Sequence, residues 1–219
     1  MYLCNETPEK MKKVFCICLL FIFSTIILMH AQSYTTFGSG CANAVYSIAA
    51  DGSNGNIYAG GQLSFAGSNP VHNAAQWNGT SWSNMDDGMD SYVRSLHIFN
   101  NELYAAGDFI NASMPAVVVW MVAKWDGSTW GAVGNGLRGV GVYCLETFQN
   151  ELYAGGFFDT VYTPGKAMAK WNGSNWTAIG AGQNNGVFGA PGYRVRAMKS
   201  FGGFLYVAGA FATAGGITV

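Results

Sequence analysis

Apolar and polar positions alternate along this chain in short runs, and the runs recur. The clearest is Asn56-Ile-Tyr-Ala-Gly-Gly61, which returns as Glu102-Leu-Tyr-Ala-Ala-Gly107, Glu151-Leu-Tyr-Ala-Gly-Gly156 and Phe204-Leu-Tyr-Val-Ala-Gly209. The tyrosines Tyr58, Tyr104, Tyr153 and Tyr206 follow one another at steps of 46, 49 and 53 residues. Upstream of each lies another strand-like run: Val45–Ala50, Val93–Phe99, Val142–Phe148 and Val195–Phe201. In three repeats the two runs are joined by Asn100-Asn101, Gln149-Asn150 or Gly202-Gly203. These are residues that accept positive φ, so the pattern predicts tight hairpins. The first repeat carries a longer turn, Asp51–Gly55. Glycines that close the Tyr-containing strand predict a bulge or a close backbone approach.

A third phrase completes each repeat. It reads Ala75-Gln-Trp77-Asn-Gly-Thr-Ser-Trp82, then Ala123-Lys-Trp125-Asp-Gly-Ser-Thr-Trp130 and Ala169-Lys-Trp171-Asn-Gly-Ser-Asn-Trp176. This predicts a third strand, a four-residue turn and a fourth strand, with the two tryptophans of each hairpin facing each other. Such a pair is worth up to about 1 kcal/mol beyond its area burial. The tryptophans therefore read as packing rather than as a platform for sugars. A period in the high forties, built of short strands and Gly turns, predicts the blades of a propeller. The expected fold is all-β: a β-propeller of four-stranded antiparallel blades, about four units of it, forming a partial ring.

Composition agrees. Charged residues make up 11% of the 219-residue chain, against roughly 25% in an average soluble domain, while Gly (30), Phe (14), Tyr (11) and Trp (7) are abundant. The formal net charge of −1 offers no basic field to a phosphate backbone, so nucleic acid is not an expected partner. At the N-terminus, Lys12 and Lys13 precede an apolar run from Val14 to Met29, followed by His30 and Ala31. That is the pattern of a secretory signal, with Met11 as the expected start and cleavage before Gln32. The run is short for a membrane span, so no stable span is expected after cleavage. The domain reading is a signal segment over 1–31 and repeats over 32–219, the last one truncated.

Removal of that segment takes away Cys4, Cys16 and Cys18 and leaves Cys41 and Cys144, too few for a disulfide framework. Cys144 aligns with Ser47, Ser95 and Ala197, small residues at one place in the repeat, which points to packing rather than a nucleophile.

The phrases resemble the kelch repeat and the galactose-oxidase-like propellers, and more narrowly secreted bacterial repeat proteins with units of the form LYxGGxF, IAKWDGSxW and LGxG. The resemblance runs from about Ser33 to the C-terminus and implies fold more than function, because propellers host unrelated activities. It implies no copper site: the His, Tyr and Cys arrangement of galactose oxidases has no counterpart here. Tyr34–Gly40 matches a fourth strand, and the chain stops where another third strand is due. The expectation is the N-terminal portion of a longer propeller, with a four-bladed ring closed by the N-terminal strand as the rival.

Catalytic chemistry is sparse. His72 and His97 pair with no cysteine at a ligand spacing. The acidic run Asp86-Asp87-Gly88-Met89-Asp90 departs from a calcium loop and reads as a solvated turn. No carboxylate pair suggests a glycosidase, and no nucleophile elbow, Walker A or dinucleotide fingerprint occurs. No cofactor is expected. The sequons at Asn78, Asn172 and Asn175 fall in or beside the blade turns, whose chemistry explains them.

Variable loops on a constant scaffold are where binding resides. The candidate binding residues of the loop face are Asp86, Asp87, Asp90, Arg138, Asn184, Tyr193 and Arg194, with Asn185, Tyr162 and Lys166 nearby. Arg94 and Arg196 align with Tyr46 and Tyr143; they either line a central channel or are ordinary strand-end charges. The functional expectation is a secreted, non-catalytic scaffold for an extracellular glycan or protein. The alternative is the N-terminal part of a secreted carbohydrate-active propeller enzyme whose catalytic residues lie outside this chain.

Overall fold

The computed structural model describes residues 37–113, 115–159, 167–179, 187–188, 193–214 and 217–218. The signal-like segment and the candidates Tyr162, Lys166, Asn184 and Asn185 lie outside the described residues. Every regular element among those described is a β-strand.

Three antiparallel sheets follow the repeats in order. The first joins Cys41–Ala50, Ile57–Ala66, Ala74–Trp77 and Trp82–Asn84, with the short strand Asn69–Pro70 paired beside the second strand. The second joins Val93–Phe99, Glu102–Gly107, Val122–Trp125 and Trp130–Ala132. The third joins Arg138–Phe148, Glu151–Asp159, Met168–Trp171 and Trp176–Ala178. The fourth repeat begins the same way, with Arg194–Phe201 paired to Phe204–Ala210. The sheets are thus blade-like meanders in which sequence neighbours are also hydrogen-bonded neighbours.

The turns form as their residues predict. Asn100 and Asn101 have φ of 52° and 61°, Gln149 and Asn150 49° and 64°, and Gly202 and Gly203 58° and 82°. Two successive positive φ values match the right-handed twist of the flanking strands. In the tryptophan hairpins one side chain organises the turn. Asn78 Oδ1 accepts the N–H of Thr80 and Ser81, Asp126 Oδ1 those of Ser128 and Thr129, and Asn172 Oδ1 those of Ser174 and Asn175. These Asx turns set Trp77 opposite Trp82, Trp125 opposite Trp130 and Trp171 opposite Trp176. Ring centroids lie 5.5, 5.1 and 5.4 Å apart in tilted pairs.

Each first strand packs on the first strand of the next repeat, from the first repeat to the fourth. Separate apolar clusters fill the spaces between successive sheets. One gathers Ala49 and Tyr58 with Val93, Leu96 and Trp130; the next gathers Phe99 and Tyr104 with Val142, Leu145 and Trp176. A third sets Met168 with Val195 and Met198. Polar stitches run between the same strands. The N–H of Leu96 donates to Ser47 Oγ (2.9 Å) and that of Leu145 to Ser95 Oγ (3.1 Å). His97 Nε2 and Thr147 Oγ1 share a 2.7 Å hydrogen bond. Burial lowers the His97 pKa, so the ring is neutral at pH 7.

The outer faces of this row are uncovered. Val45 is 41% exposed and Ile48 64%, whereas their counterparts Val93 and Leu96 are 0% and 5% exposed. At the other end Tyr206 is 56% exposed and its counterpart Tyr104 only 4%. The same apolar positions recur in every repeat, but only a following or preceding sheet buries them.

The strand part of the expected N-terminal match, Tyr34–Thr36, lies outside the described residues. Phe37–Gly40 form the turn that Val133–Gly136 form in the second repeat, each closed by a glycine N–H on the carbonyl three residues back (2.9 and 3.1 Å). The register is that of a preceding repeat: Trp82 Nε1 donates to the Phe37 carbonyl just as Trp130 Nε1 donates to that of Met85. The first strands of repeats one and three start earlier than the sequence predicts, at Cys41 and Arg138.

At one place the framework is set by a glycine. A Cβ on Gly61, Gly107, Gly156 or Gly209 would collide with the carbonyl oxygen of Ala44, Tyr92, Gly141 or Arg194 on the facing strand. Gly107→Ala should therefore cost about 1–3 kcal/mol, the scale of overpacking, in a urea melt. Gly131→Ala, whose Cβ would meet only the Lys124 carbonyl at 3.9 Å, should stay within about 0.5 kcal/mol of wild type. Trp125→Ala should lower stability by about 3–5 kcal/mol in the same measurement.

Candidate functional site

The collision that excludes a side chain at the glycines accompanies a bulge. In repeat one, Val45 faces Gly61 and Ser47 faces Gly60, so Tyr46 has no partner across the ladder. The register slips in the same way at Arg94, between Val93 and Ser95, at Tyr143, between Val142 and Cys144, and at Arg196, between Val195 and Ala197. A bulge adds twist and re-aims the side chain of the extra residue. Here it turns all four toward one cavity of about 400 Å³, lined by Tyr46, Arg94, Tyr143 and Arg196.

The two arginines differ in state. Arg94 is held by Asp108, which follows the second strand of its own sheet: Nε to Oδ1 is 2.7 Å and Nη2 to Oδ2 is 2.6 Å. That bidentate pair raises the Arg94 pKa further. The Arg94 guanidinium also lies 5.8 Å from the Tyr46 ring centre, 5.9 Å from Tyr92 and 5.1 Å from Tyr143, within the range of cation–π attraction. Gly141 leaves room for the clamp, since a Cβ there would strike Asp108 Oδ1 and the Tyr143 ring. Arg196 is exposed and makes no hydrogen bond or ion pair among the described residues.

The residues nominated from loop variability are dispersed. Asp87 and Asp90 share a cleft of about 370 Å³ with His72, Asn73 and Asn111, between the first two sheets. Asp90 is occupied as a clamp: its carboxylate accepts the Ile110 N–H (2.9 Å) and the Asn111 side-chain amide (2.8 Å). Asp87 sits 3.4 Å from His72 Nδ1 in an exposed pair, a geometry worth little in water. Asp86 occupies the turn with φ 54°. Arg138 is not in a loop but opens the first strand of repeat three, with its guanidinium 3.9 Å from the Trp120 ring centre. Arg194 likewise opens a strand, opposite Ala210, and its buried Nε has no hydrogen-bond partner among the described residues. Tyr193 packs edge-on against Phe157 at 6.3 Å. Among the described residues no three His, Cys, Asp or Glu side chains gather as metal ligands would.

A larger groove of about 460 Å³ lies beside Glu102, Tyr104, Lys124, Glu151 and Trp171. Its charges are already matched: Lys124 Nζ reaches Glu102 at 2.8 Å and Lys170 reaches Glu151 at 2.9 Å. Burial, with the neighbouring Glu102, pushes the Tyr104 hydroxyl up to about 12. The groove repeats a framework motif and holds no unmatched group of this set. Burial also pushes the Cys144 thiol up to about 12, which leaves it a poor nucleophile.

The alignment of Tyr46, Arg94, Tyr143 and Arg196 was visible in the sequence, but the bulge that brings them together was not. The signal lay in the small residue and glycine opposite them: Gly60-Gly61, Ala106-Gly107, Gly155-Gly156 and Ala208-Gly209. No protein-family model matches the chain, and neither does any curated protein sequence.

Below this cavity Glu146 ties repeat three to repeat four. Its carboxylate accepts the Ser200 N–H (3.0 Å) and Oγ–H (2.6 Å), with Lys199 Nζ at 3.2 Å. Burial works to raise the Glu146 pKa, but these donors outweigh it and hold the pKa below the ordinary 4.5. The carboxylate therefore contributes stability above that value, and the contribution is lost as pH falls through the lowered folded pKa. Thermal melts from pH 7 to pH 3 should show wild type losing more stability below about pH 4.5 than Glu146→Gln loses.

Proposed function

We propose that the chain is a secreted β-propeller scaffold with no catalytic chemistry of its own, which binds an extracellular glycan or protein at the loop end of its sheets. The observation that carries this reading is the contrast at the four bulges. The residue before each is always valine (Val45, Val93, Val142, Val195) and the residue after is always small (Ser47, Ser95, Cys144, Ala197). Between them the residue alternates Tyr, Arg, Tyr, Arg and faces a cavity. A position that served only to pack would repeat its residue as its neighbours do. This one varies on a constant frame, which is the arrangement of a recognition site.

The propeller assignment rests on the fourfold meander, on the packing of each first strand against the next, and on apolar outer faces whose counterparts between the sheets are covered. Secretion rests on the Lys12–Ala31 segment. The test is a glycan array, with released reducing ends assayed in parallel. The expected result is retention of a defined glycan class without cleavage or oxidation. Turnover of a retained glycan would favour an enzyme instead.

A further inference from the structure

We propose that the cavity between Tyr46, Arg94, Tyr143 and Arg196 recognises the carboxylate of a uronic acid residue in an extracellular glycan. This inference rests on the binding role proposed above and assigns its ligand class. Among the described residues two guanidinium groups and one carboxylate, Asp108, meet at the site, so one positive charge is left over in this set. Arg94 commits the Nε and Nη2 edge of its guanidinium to Asp108 and sets its flanks against three tyrosine rings. It is a fixed wall. Arg196 shares the cavity with a free fork of N–H donors. A planar guanidinium matches a planar carboxylate with two parallel hydrogen bonds.

The rest of the lining selects a sugar over a peptide. Tyr46 and Tyr143 present aromatic faces with a hydroxyl at the tip, suited to a ring that is apolar on its C–H face and polar at its edge. Among the described residues no aliphatic side chain lines the cavity to seat an apolar peptide side chain. Its volume, about 400 Å³, is at the lower end of the roughly 300–1,000 Å³ typical of small-ligand sites. Asp108 and the bulges hold Arg94 and the tyrosines in place before any ligand arrives, so only Arg196 needs to be ordered on binding.

The experiment is calorimetric titration of the full chain with trigalacturonate, its fully methyl-esterified form, and a tri-glutamate peptide. Trigalacturonate should bind, the ester at least tenfold more weakly, and the peptide at least tenfold more weakly as well. Arg196→Gln should weaken trigalacturonate binding at least tenfold with an unchanged melting temperature, because its exposed side chain makes no hydrogen bond or ion pair among the described residues. Arg196→Lys, which keeps the charge and loses the fork, should fall between the two. Equal binding of acid and ester, or an Arg196→Gln variant that folds and binds as wild type does, would overturn the carboxylate site. Tighter binding of the peptide than of the sugar would overturn the glycan assignment. A glycan array separates this from the broader reading. Retention of neutral glycans by wild type and Arg196→Gln alike would overturn the uronate site and leave the binding scaffold standing. If no glycan is retained, and no protein from the extracellular milieu either, both readings fall.

Discussion

The structure depends on a close approach between backbone and backbone. The last glycine of each repeated phrase lies beneath the carbonyl oxygen of the facing strand, two residues before the bulge. None of these four glycines needs positive φ; what they supply is the missing Cβ. With the strands drawn together there, the first strand carries one residue more than its partner. The extra residue leaves the ladder, and its side chain lines the cavity. The same contact therefore shapes the strand and aims the residue. The valine before it is directed into the apolar space toward the preceding sheet, where Val93, Val142 and Val195 are fully buried.

Cohesion between sheets follows from that register. A valine and a larger aliphatic residue from one sheet fill the space left by the aromatic face of the sheet before it, and a serine hydroxyl accepts the backbone N–H of that aliphatic residue. In the third repeat Cys144 replaces the serine, and its thiol turns back to the Gly155 carbonyl at 3.7 Å. Glu146 with Ser200 then supplies the polar link to the fourth repeat. The interfaces share one apolar pattern, the first two share the serine stitch and the third uses Glu146, and each joins only neighbouring repeats, so they add nearly independently, as nearest-neighbour terms do in repeat proteins. The cost of an uncovered face is correspondingly local, at about 25 cal/mol per Å² of apolar area.

A site at the junction of four such repeats draws one residue from each. No pair of its members is close in the chain: Tyr46 and Arg196 lie at opposite ends of the described repeats. The scaffold can therefore change the chemistry of the cavity one residue at a time without disturbing a core. Asp108 illustrates the limit on that freedom. Its carboxylate needs the open space at Gly141 of the next repeat, so the clamp on Arg94 is shared between two sheets.

What the amino-acid sequence determined by itself is everything governed by neighbours a few residues apart. Strand alternation, the Asn100-Asn101 and Gly202-Gly203 hairpins, the Asx turns at Asn78, Asp126 and Asn172, and the facing tryptophans all follow from local conformational preference and a period of two. The fourfold repeat then made the all-β meander legible before any coordinates. Only the tertiary structure decided the site. The bulge is a mismatch between two strands, so neither strand alone declares it. Arg94 and Arg196 are the same residue type at the same position, yet one is clamped and the other free, because Asp108 lies fourteen residues downstream of Arg94 in a loop of its own repeat. Asp90, nominated as a loop carboxylate, proved to hold the Ile110 and Asn111 backbone and side chain, twenty residues away. Arg138 and Arg194, placed in loops by composition, became the opening residues of strands, because pairing with Asp159 and Ala210 extended the ladder past the point where apolar alternation fades. Long-range pairing is chosen by which partners the folded chain brings within reach, and that choice is not written in any one segment.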